Sequence, residues 1–202
     1  SIDATTGQVK LLTPADFEVK NSYSITVNAK DASHTTTKAV TINVTDVNEA
    51  PSFTSGATGT VAENAATSTV VYTATATDPE SDTLSYSLTG TDAASFTINT
   101  AGAVKLITPA DFETKSSYSV TVNAMDATHT TTKAVTINAT NVNEAPTAAN
   151  FTSAGLTSST AVTGASVGTL AAVDPDAGDT HTFTLVAGNG TNDADNSKFT
   201  MV

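Results

Sequence analysis

An internal repeat with a period of 95 residues constrains this 202-residue chain more than any other feature. The segment 7–51 returns without a gap as the segment 102–146, and 36 of the 45 aligned positions are identical. A period of this length is that of a whole small domain, whereas solenoid repeats return roughly every 20–45 residues. The chain is therefore predicted to hold similar domains in series.

Acidic residues return with the repeat, which points to a function at the junctions between domains. Asp16 and Glu18 come back 95 residues later, and so does the Asn-Glu-Ala-Pro sequence of 48–51. Carboxylate and carboxamide oxygens are the ligands that hard cations prefer. Their return at fixed places, beside the proline that ends each joint, predicts cation sites between successive domains.

The composition is that of an acidic protein without cysteine. Twenty Asp and Glu residues stand against eight Lys and Arg, so the formal net charge is −12, which argues against nucleic acid and anionic membrane surfaces as partners. The absence of cysteine excludes disulfides and thiolate metal sites. No apolar run is long enough to span a bilayer. Neither a signal peptide nor an initiator Met is present, so we expect an excerpt of a longer chain, or else a mature form.

Short alternating apolar runs predict an all-β fold. Ser22–Ala29 and Ala39–Thr45 alternate with period two, which is the pattern of half-buried antiparallel strands. Seven short strands separated by turns predict a Greek-key β-sandwich in the complete repeat. Its predicted strands are Thr60–Glu63, Val70–Thr77, Leu84–Leu88, Ser95–Asn99, Ala103–Ile107, Tyr118–Met125 and Thr131–Thr140. Its predicted large core residues are Phe96, Phe112, Tyr118 and Tyr86.

The repeat divides the chain into one complete and two partial sandwiches. Residues 1–50 are predicted to be the C-terminal part of a repeat, 51–145 a complete repeat, and 146–202 the N-terminal part of the next. The joint Thr45–Ser52 is too short for a flexible tether. Neighbouring domains should therefore lie end to end, with their loops close together.

The ordered motifs resemble those of cadherin repeats and, more narrowly, the bacterial cadherin-like repeats of large calcium-dependent surface adhesins. These motifs are Val-Ala-Glu-Asn at 61–64, Asp-Phe-Glu at 111–113, Ala-Met-Asp at 124–126 and Asp-Val-Asn-Glu-Ala-Pro at 46–51. Each motif is weak alone, but their order and their recurrence make a strong signal over essentially the whole chain. The resemblance implies tandem cadherin/immunoglobulin-like sandwiches with calcium ions clamped between successive domains.

The resemblance also implies a ligand set for each joint. At the first joint the implied ligands are Asp16, Glu18, Asp46, Asn48, Glu49, Asp78, Glu80 and Asp126. At the second joint they are Glu63, Asp111, Glu113, Asn143, Glu144, Asp174 and Asp176. Asn141 stands where the first joint has Asp46, which removes one carboxylate, so we expect weaker or fewer ions at the second joint.

Crowded carboxylates should make each joint depend on a divalent cation. Two carboxylates about 6 Å apart, at an effective dielectric of about 20, repel by on the order of 3 kcal/mol. Without a cation the joint should therefore splay, and with one it should stiffen. Extracellular modules bind calcium at roughly 10⁻⁴–10⁻³ M, so ordinary seawater or tissue fluid would saturate such sites.

The functional prediction is a calcium-rigidified tandem-repeat segment of an extracellular or cell-surface bacterial adhesin or matrix protein. An enzyme is not expected, because the chain has no Ser-His-Asp order, Gly-rich phosphate loop or nucleophile elbow. A catalytic carboxylate pair would also not need to recur with every period. The implied partners are calcium ions, neighbouring repeats of the same or an identical chain, and a cell-surface or matrix ligand.

Two alternatives stay open at this point. The segment could be a passive spacer that holds a remote domain away from the cell, or a filament subunit whose partial end domains complement each other head to tail. The least repeated segment, Gly188–Ser197, is the first place to look for an adhesive patch, and a plain surface loop is the alternative there. The histidines are expected at the surface, at His34, His129 and His181.

Overall fold

The computed structural model describes residues 1–187 and 195–202, and these residues form an all-β protein. The all-β class predicted from the alternating runs is therefore confirmed. The strands, numbered in chain order, are β1 (Ser22–Lys30), β2 (Thr35–Asn43), β3 (Ser52–Phe53), β4 (Thr58–Ala62), β5 (Tyr72–Thr73), β6 (Ala76–Thr77), β7 (Ser85–Thr89), β8 (Phe96–Ile98), β9 (Ala103–Leu106), β10 (Ser117–Met125), β11 (Thr130–Thr140), β12 (Ala148–Ser153) and β13 (Gly168–Val173). Two single-turn 3-10 helices lie at Ala93–Ser95 and Asn196–Lys198.

Strands β3 to β11 build a β-sandwich around one hydrophobic core. One sheet has the order β4-β11-β10-β7, and the other side carries the β5-β9-β8 sheet and the short β3-β6 pair. Strands β10 and β11 are antiparallel, from Ser117 opposite Asn138 to Met125 opposite Thr130. Their two-residue periodicity puts every second side chain toward the core, as the sequence pattern predicts.

The first strand of this sandwich is divided between the two sheets. Its first piece, β3, is antiparallel to β6, whereas its second piece, β4, is parallel to β11. The alternating pattern predicted the second piece but missed the first, because two residues carry no periodicity. The predicted strand Val70–Thr77 is likewise divided into β5 and β6.

The core is made of β-branched residues with a few aromatic rings. Val104, Val122 and Ile137 are fully buried, and they come from both sheets. The rings of Phe96 and Tyr118 meet edge to face, with centroids 5.4 Å apart and an interplanar angle of 87°. The predicted core aromatics are confirmed, since Phe96 and Tyr118 are buried while Phe112 and Tyr86 pack against the core partly buried.

The outer parts of the chain each contain a two-stranded antiparallel sheet. Strands β1 and β2 repeat the register of β10 and β11, because Tyr23 lies opposite Ile42 as Tyr118 lies opposite Ile137. Strands β12 and β13 pair from Ala148 opposite Val173 to Ser153 opposite Gly168. The domain boundaries at 50/51 and 145/146 stay predictions.

Candidate metal centres

Three carboxylates from separate segments converge at the first joint. Glu18 precedes β1, Glu49 lies on the linker after β2 and Glu80 follows β6, and each offers an oxygen within 4.8 Å of the others. The backbone N–H of Glu49 donates to Glu80 Oε2 at 3.3 Å. Two buried oxygens here, Asp78 Oδ2 and Glu80 Oε1, have no hydrogen-bond partner among the described residues. Buried carboxylate oxygens are costly to leave unpaired, so this arrangement is suited to a cation.

Crowding disturbs the ionisation of this first cluster. A hydrogen bond shared with Glu80, followed by burial and by the charges of Glu80, Glu18 and Asp46, raises the pKa of Glu49 to about 7. The same hydrogen bond holds the pKa of Glu80 below its ordinary value. The crowding therefore favours a proton on Glu49 rather than on Glu80. A divalent cation between them would displace that proton.

Asn48 connects the first linker to the turn between β10 and β11. Its Nδ2 donates to Asp126 Oδ2 at 3.0 Å and to Thr128 Oγ1 at 2.8 Å, and lies 2.8 Å from His129 Nδ1. The backbone N–H groups of His129 and Thr128 donate to Asp126 Oδ1 at 2.5 and 2.6 Å. These bonds, that from His129 above all, lower the pKa of the buried Asp126 carboxyl to about 2. Asp126 therefore stays ionised at the joint.

A second group of three carboxylates lies at the other end of the sandwich. Glu63, Glu113 and Glu144 each offer an oxygen within 4.8 Å of the others. Glu63 is only 3% exposed, and its two oxygens accept the backbone N–H groups of Val142 and Phe112, both at 2.7 Å. Burial, followed by the charges of Glu63 and Glu144, raises the pKa of Glu113. Glu144 Oε2 is buried and has no partner within the described part of the chain.

A third acidic group occupies the turn after β13. Asp174, Asp176 and Asp179 offer oxygens within 4.8 Å of one another. The backbone N–H of Asp176 donates to Asp174 Oδ1 at 3.0 Å, and His181 Nε2 lies 2.8 Å from Asp174 Oδ2. The hydrogen bond with His181 is the main reason why the pKa of Asp174 is lowered. This turn faces the linker that follows β11.

Direct hydrogen bonds join that linker to the third acidic group. Asn141 Nδ2 donates to Asp176 Oδ1 at 2.7 Å and to Glu113 Oε1 at 3.1 Å. The backbone N–H of Glu144 donates to Asp176 Oδ2 at 2.6 Å. Both carboxylate oxygens of Asp176 are therefore paired, and the residue is only 6% exposed.

Most of the predicted ligands come together, and a few do not. Asp16 and Asp111 each hold a turn, since Asp16 Oδ1 accepts the N–H of Val19 and Asp111 Oδ1 accepts that of Thr114. The remaining predicted residues lie on the linkers, where Asp46 is exposed and Asn143 Nδ2 donates to the Glu144 carbonyl oxygen. The assignment of all these residues as calcium ligands stays a prediction.

Sequence reasoning missed Asp179 of the third acidic group and the contact that His181 makes with that group. Asp179 follows Asp174-Pro-Asp as Asp82 follows Asp78-Pro-Glu, with one residue inserted, so the signal was present but overlooked. His181 was expected at the surface, but its side chain is only 23% exposed and it contacts Asp174. His34, by contrast, is 83% exposed as expected.

Comparison with known proteins finds a family that part of the chain resembles. Residues 57–140 match the family model of the cadherin domain. This matched segment is called the cadherin domain below. Human protocadherin gamma-C4 is 33% identical over 165 residues, which cover 72% of this chain and 17% of that protein. Human protocadherin Fat 1 is 33% identical over 206 residues, which cover 94% of this chain and 4% of that protein. The chain thus spans a small part of the length of these relatives.

Solved structures share the fold of the cadherin domain. Extracellular cadherin domains 1–4 of protocadherin gamma B7 superpose with a TM-score of 0.66 at 24% identity, covering 81% of this chain and 43% of that one. Mouse cadherin-23 EC22-24 gives a TM-score of 0.54 at 27% identity, covering 70% and 49%. The first two acidic clusters therefore lie at the two ends of the sandwich that contains the matched residues 57–140. No helix among the described residues is long and apolar enough to cross a membrane.

Proposed function

We propose that this chain is a calcium-rigidified segment of an extracellular adhesion protein, in which cadherin repeats follow one another and bound calcium fixes the angle between neighbours. One observation carries the proposal. At each end of the cadherin domain, three carboxylates from separate segments converge around buried oxygens without a donor in the described chain, at Asp78, Glu80 and Glu144. A divalent cation would supply the missing partner and neutralise the repulsion.

The donor set fits calcium rather than a softer metal. Calcium takes six to eight oxygen ligands from carboxylates, carboxamides, backbone carbonyls and water. The chain has no cysteine, and among the described residues no histidine is a member of the two groups of three glutamates, although His129 and His181 contact Asp126 and Asp174. The residues that would hold calcium are Asp16, Glu18, Asp46, Asn48, Glu49, Asp78, Glu80 and Asp126 at the first joint, and Glu63, Asp111, Glu113, Asn143, Glu144, Asp174 and Asp176 at the second.

The same reasoning supports an extracellular, non-enzymatic role with neighbouring repeats as the first partners. The protocadherin gamma B7 structure comprises extracellular cadherin domains, and we extend that setting to this chain. A cell-surface or matrix ligand would be the further partner. The segment Gly188–Ser197, predicted as a place for an adhesive patch, falls mostly outside the described residues. The bacterial origin, the passive spacer and the filament stay predictions.

Thermal unfolding of the full chain tests the proposal. The midpoint should rise when EDTA is replaced by millimolar calcium, and much less with millimolar magnesium, because magnesium demands a smaller octahedral site. At about ten times the dissociation constant, each site would stabilise the folded state by about 1.4 kcal/mol. Asp3 is an acidic residue outside both joints, so the variant Asp3→Asn should keep the full calcium response. Equal midpoints in EDTA and calcium would contradict calcium binding.

A further inference from the structure

The two joints differ at one position that the structure makes important. Asp46 at the first joint and Asn141 at the second occupy the same place in the repeat, and this is one of only nine differences in the 45 aligned residues. We propose that the Asn141 amide takes the place of one calcium ion at the second joint and crosslinks the two sides of that joint without a metal. This inference rests on the proposed function for its ion count, but the crosslink itself can be tested without calcium.

The contacts of Asn141 span the joint. Its Nδ2 lies 3.1 Å from Glu113 Oε1, on the cadherin domain, and 2.7 Å from Asp176 Oδ1, in the turn after β13. The backbone N–H of Glu144 donates to the other carboxylate oxygen, Asp176 Oδ2, at 2.6 Å. The linker thus binds both of its neighbours through one side chain, and the most buried of the joint's aspartates has no oxygen left without a donor.

The first joint lacks this arrangement. Asp46 is exposed and accepts no hydrogen bond from the described residues, and Glu80, which stands where the second joint has Asp176, keeps a buried Oε1 without a donor. A nearby buried oxygen, Asp78 Oδ2, is also unpaired within the described range. Among the residues that the structure describes, the second joint leaves one such oxygen, on Glu144. The first joint, which carries Asp46, therefore offers more unpaired carboxylate oxygens to cations than the second joint, which carries Asn141.

The chemistry of the two side chains explains the difference. A carboxamide carries two N–H donors on one nitrogen, so it can donate to two carboxylates at once, and bonds to ionised acceptors are about twice as strong as neutral ones. A carboxylate at the same place can only accept, and would repel both neighbours unless a cation lay between them. The amide orientation follows from the same argument, because the reverse would turn its oxygen toward two anions.

Reciprocal substitutions in the full chain test the ion count. Asn141→Asp should gain about one equivalent of calcium and Asp46→Asn should lose about one, both measured by isothermal titration with calcium chloride. The two variants exchange isosteric, exposed side chains, so neither should disturb folding, which circular dichroism checks. An unchanged stoichiometry in Asn141→Asp would overturn the proposal.

A distance measurement in EDTA tests the crosslink by itself. Since the chain has no cysteine, spin labels can be attached through Thr97→Cys and Thr169→Cys, at two exposed strand positions on either side of the second joint. The parent pair should give a narrow distance distribution, and Asn141→Asp and Asn141→Ala should both broaden it. Distributions that do not change with the substitution would overturn the crosslink. Absence of calcium binding in every variant would instead contradict the proposed function and the ion count that rests on it. The distance measurement in EDTA would still test the crosslink, because it needs no calcium.

Discussion

Asp92 is an acidic residue in a turn, and its side chain is nevertheless mostly buried. The turn it occupies predicts a solvent-exposed loop residue, yet its side chain is only 12% exposed. Lys115 Nζ lies 2.5 Å from its Oδ1, and the Ser119 N–H donates to its Oδ2 at 2.8 Å. It therefore ties the turn after β7 to the start of β10, a long-range contact that no local pattern could reveal.

Replacing Asp92 should destabilise the cadherin domain in a pH-dependent manner. The hydrogen bond from Lys115 lowers the pKa of Asp92 in the folded state. A depressed carboxyl pKa contributes stability above the unfolded pKa of about 4, and this contribution is lost as the pH falls through the folded value. Asp92→Asn should thus cost about 1–2 kcal/mol at neutral pH and much less near pH 3. Urea unfolding at both pH values measures the difference.

Asp3→Asn is the matched control for this substitution, because the exposed Asp3 carboxylate accepts the local N–H groups of Thr5 and Thr6. Its effect on the cadherin domain should stay within about 0.5 kcal/mol. A cost for Asp92→Asn that is equal at both pH values would contradict the role of the ionised pair.

At the scale of elements, the repeat provides a matched pair of glycines. Gly102, in the turn between β8 and β9, has φ +76°, and a Cβ there would lie 2.1 Å from the Ala74 carbonyl oxygen. Gly7 has φ +73° at the same repeat position, but a Cβ would meet nothing within 4 Å. Gly7→Ala should cost about 1–2 kcal/mol from the left-handed backbone alone. Gly102→Ala should cost about 3 kcal/mol or more, because overpacking adds to that strain.

Denaturant unfolding monitored by tyrosine fluorescence separates the two glycine variants. Gly102→Ala should move the cadherin domain transition strongly, whereas Gly7→Ala, which lies outside that domain, should leave it in place. A shift for Gly102→Ala no larger than the about 1–2 kcal/mol of backbone strain would contradict a cost from the close approach to Ala74.

The elements that the sequence predicts best are those whose pattern is local. Strands β10 and β11 were found within one or two residues, because nine or more alternating residues leave no competing interpretation. The short strand β3 was missed because its place depends on its partner β6. The acidic clusters were predicted in outline because the same acids recur. The Asn141 bridge was not, since Asn141 was noted only as a missing carboxylate.

At the scale of the whole molecule, one substitution at the first joint should weaken both the repulsion between its carboxylates and its binding of calcium. At pH 8, above the pKa of about 7, Glu49 is ionised beside Glu18 and Glu80. Glu49→Gln should therefore narrow the distance distribution across the joint in EDTA, and raise the calcium concentration needed for half saturation several-fold, because affinity follows ligand charge. Spin labels at Cys residues introduced for Thr41 and Thr97 report both effects.

The second joint supplies the control for this measurement. Glu144→Gln removes the equivalent linker carboxylate and should leave the Thr41–Thr97 distances and their calcium titration unchanged. An identical calcium midpoint for Glu49→Gln and the parent chain would contradict a ligand role for Glu49.

The parallel pairing of β4 with β11 has a consequence for tension along the molecule. The two strands lie side by side from Thr58 opposite Thr136 to Ala62 opposite Thr140. A pull through the neighbouring repeats draws the beginning of β4 one way and the end of β11 the other. The ladder between them is then loaded in shear, so its hydrogen bonds must break together and not one after another. Resistance to such a pull depends on the barrier to unfolding rather than on equilibrium stability, and the strand arrangement places that barrier directly between the two points where load enters and leaves.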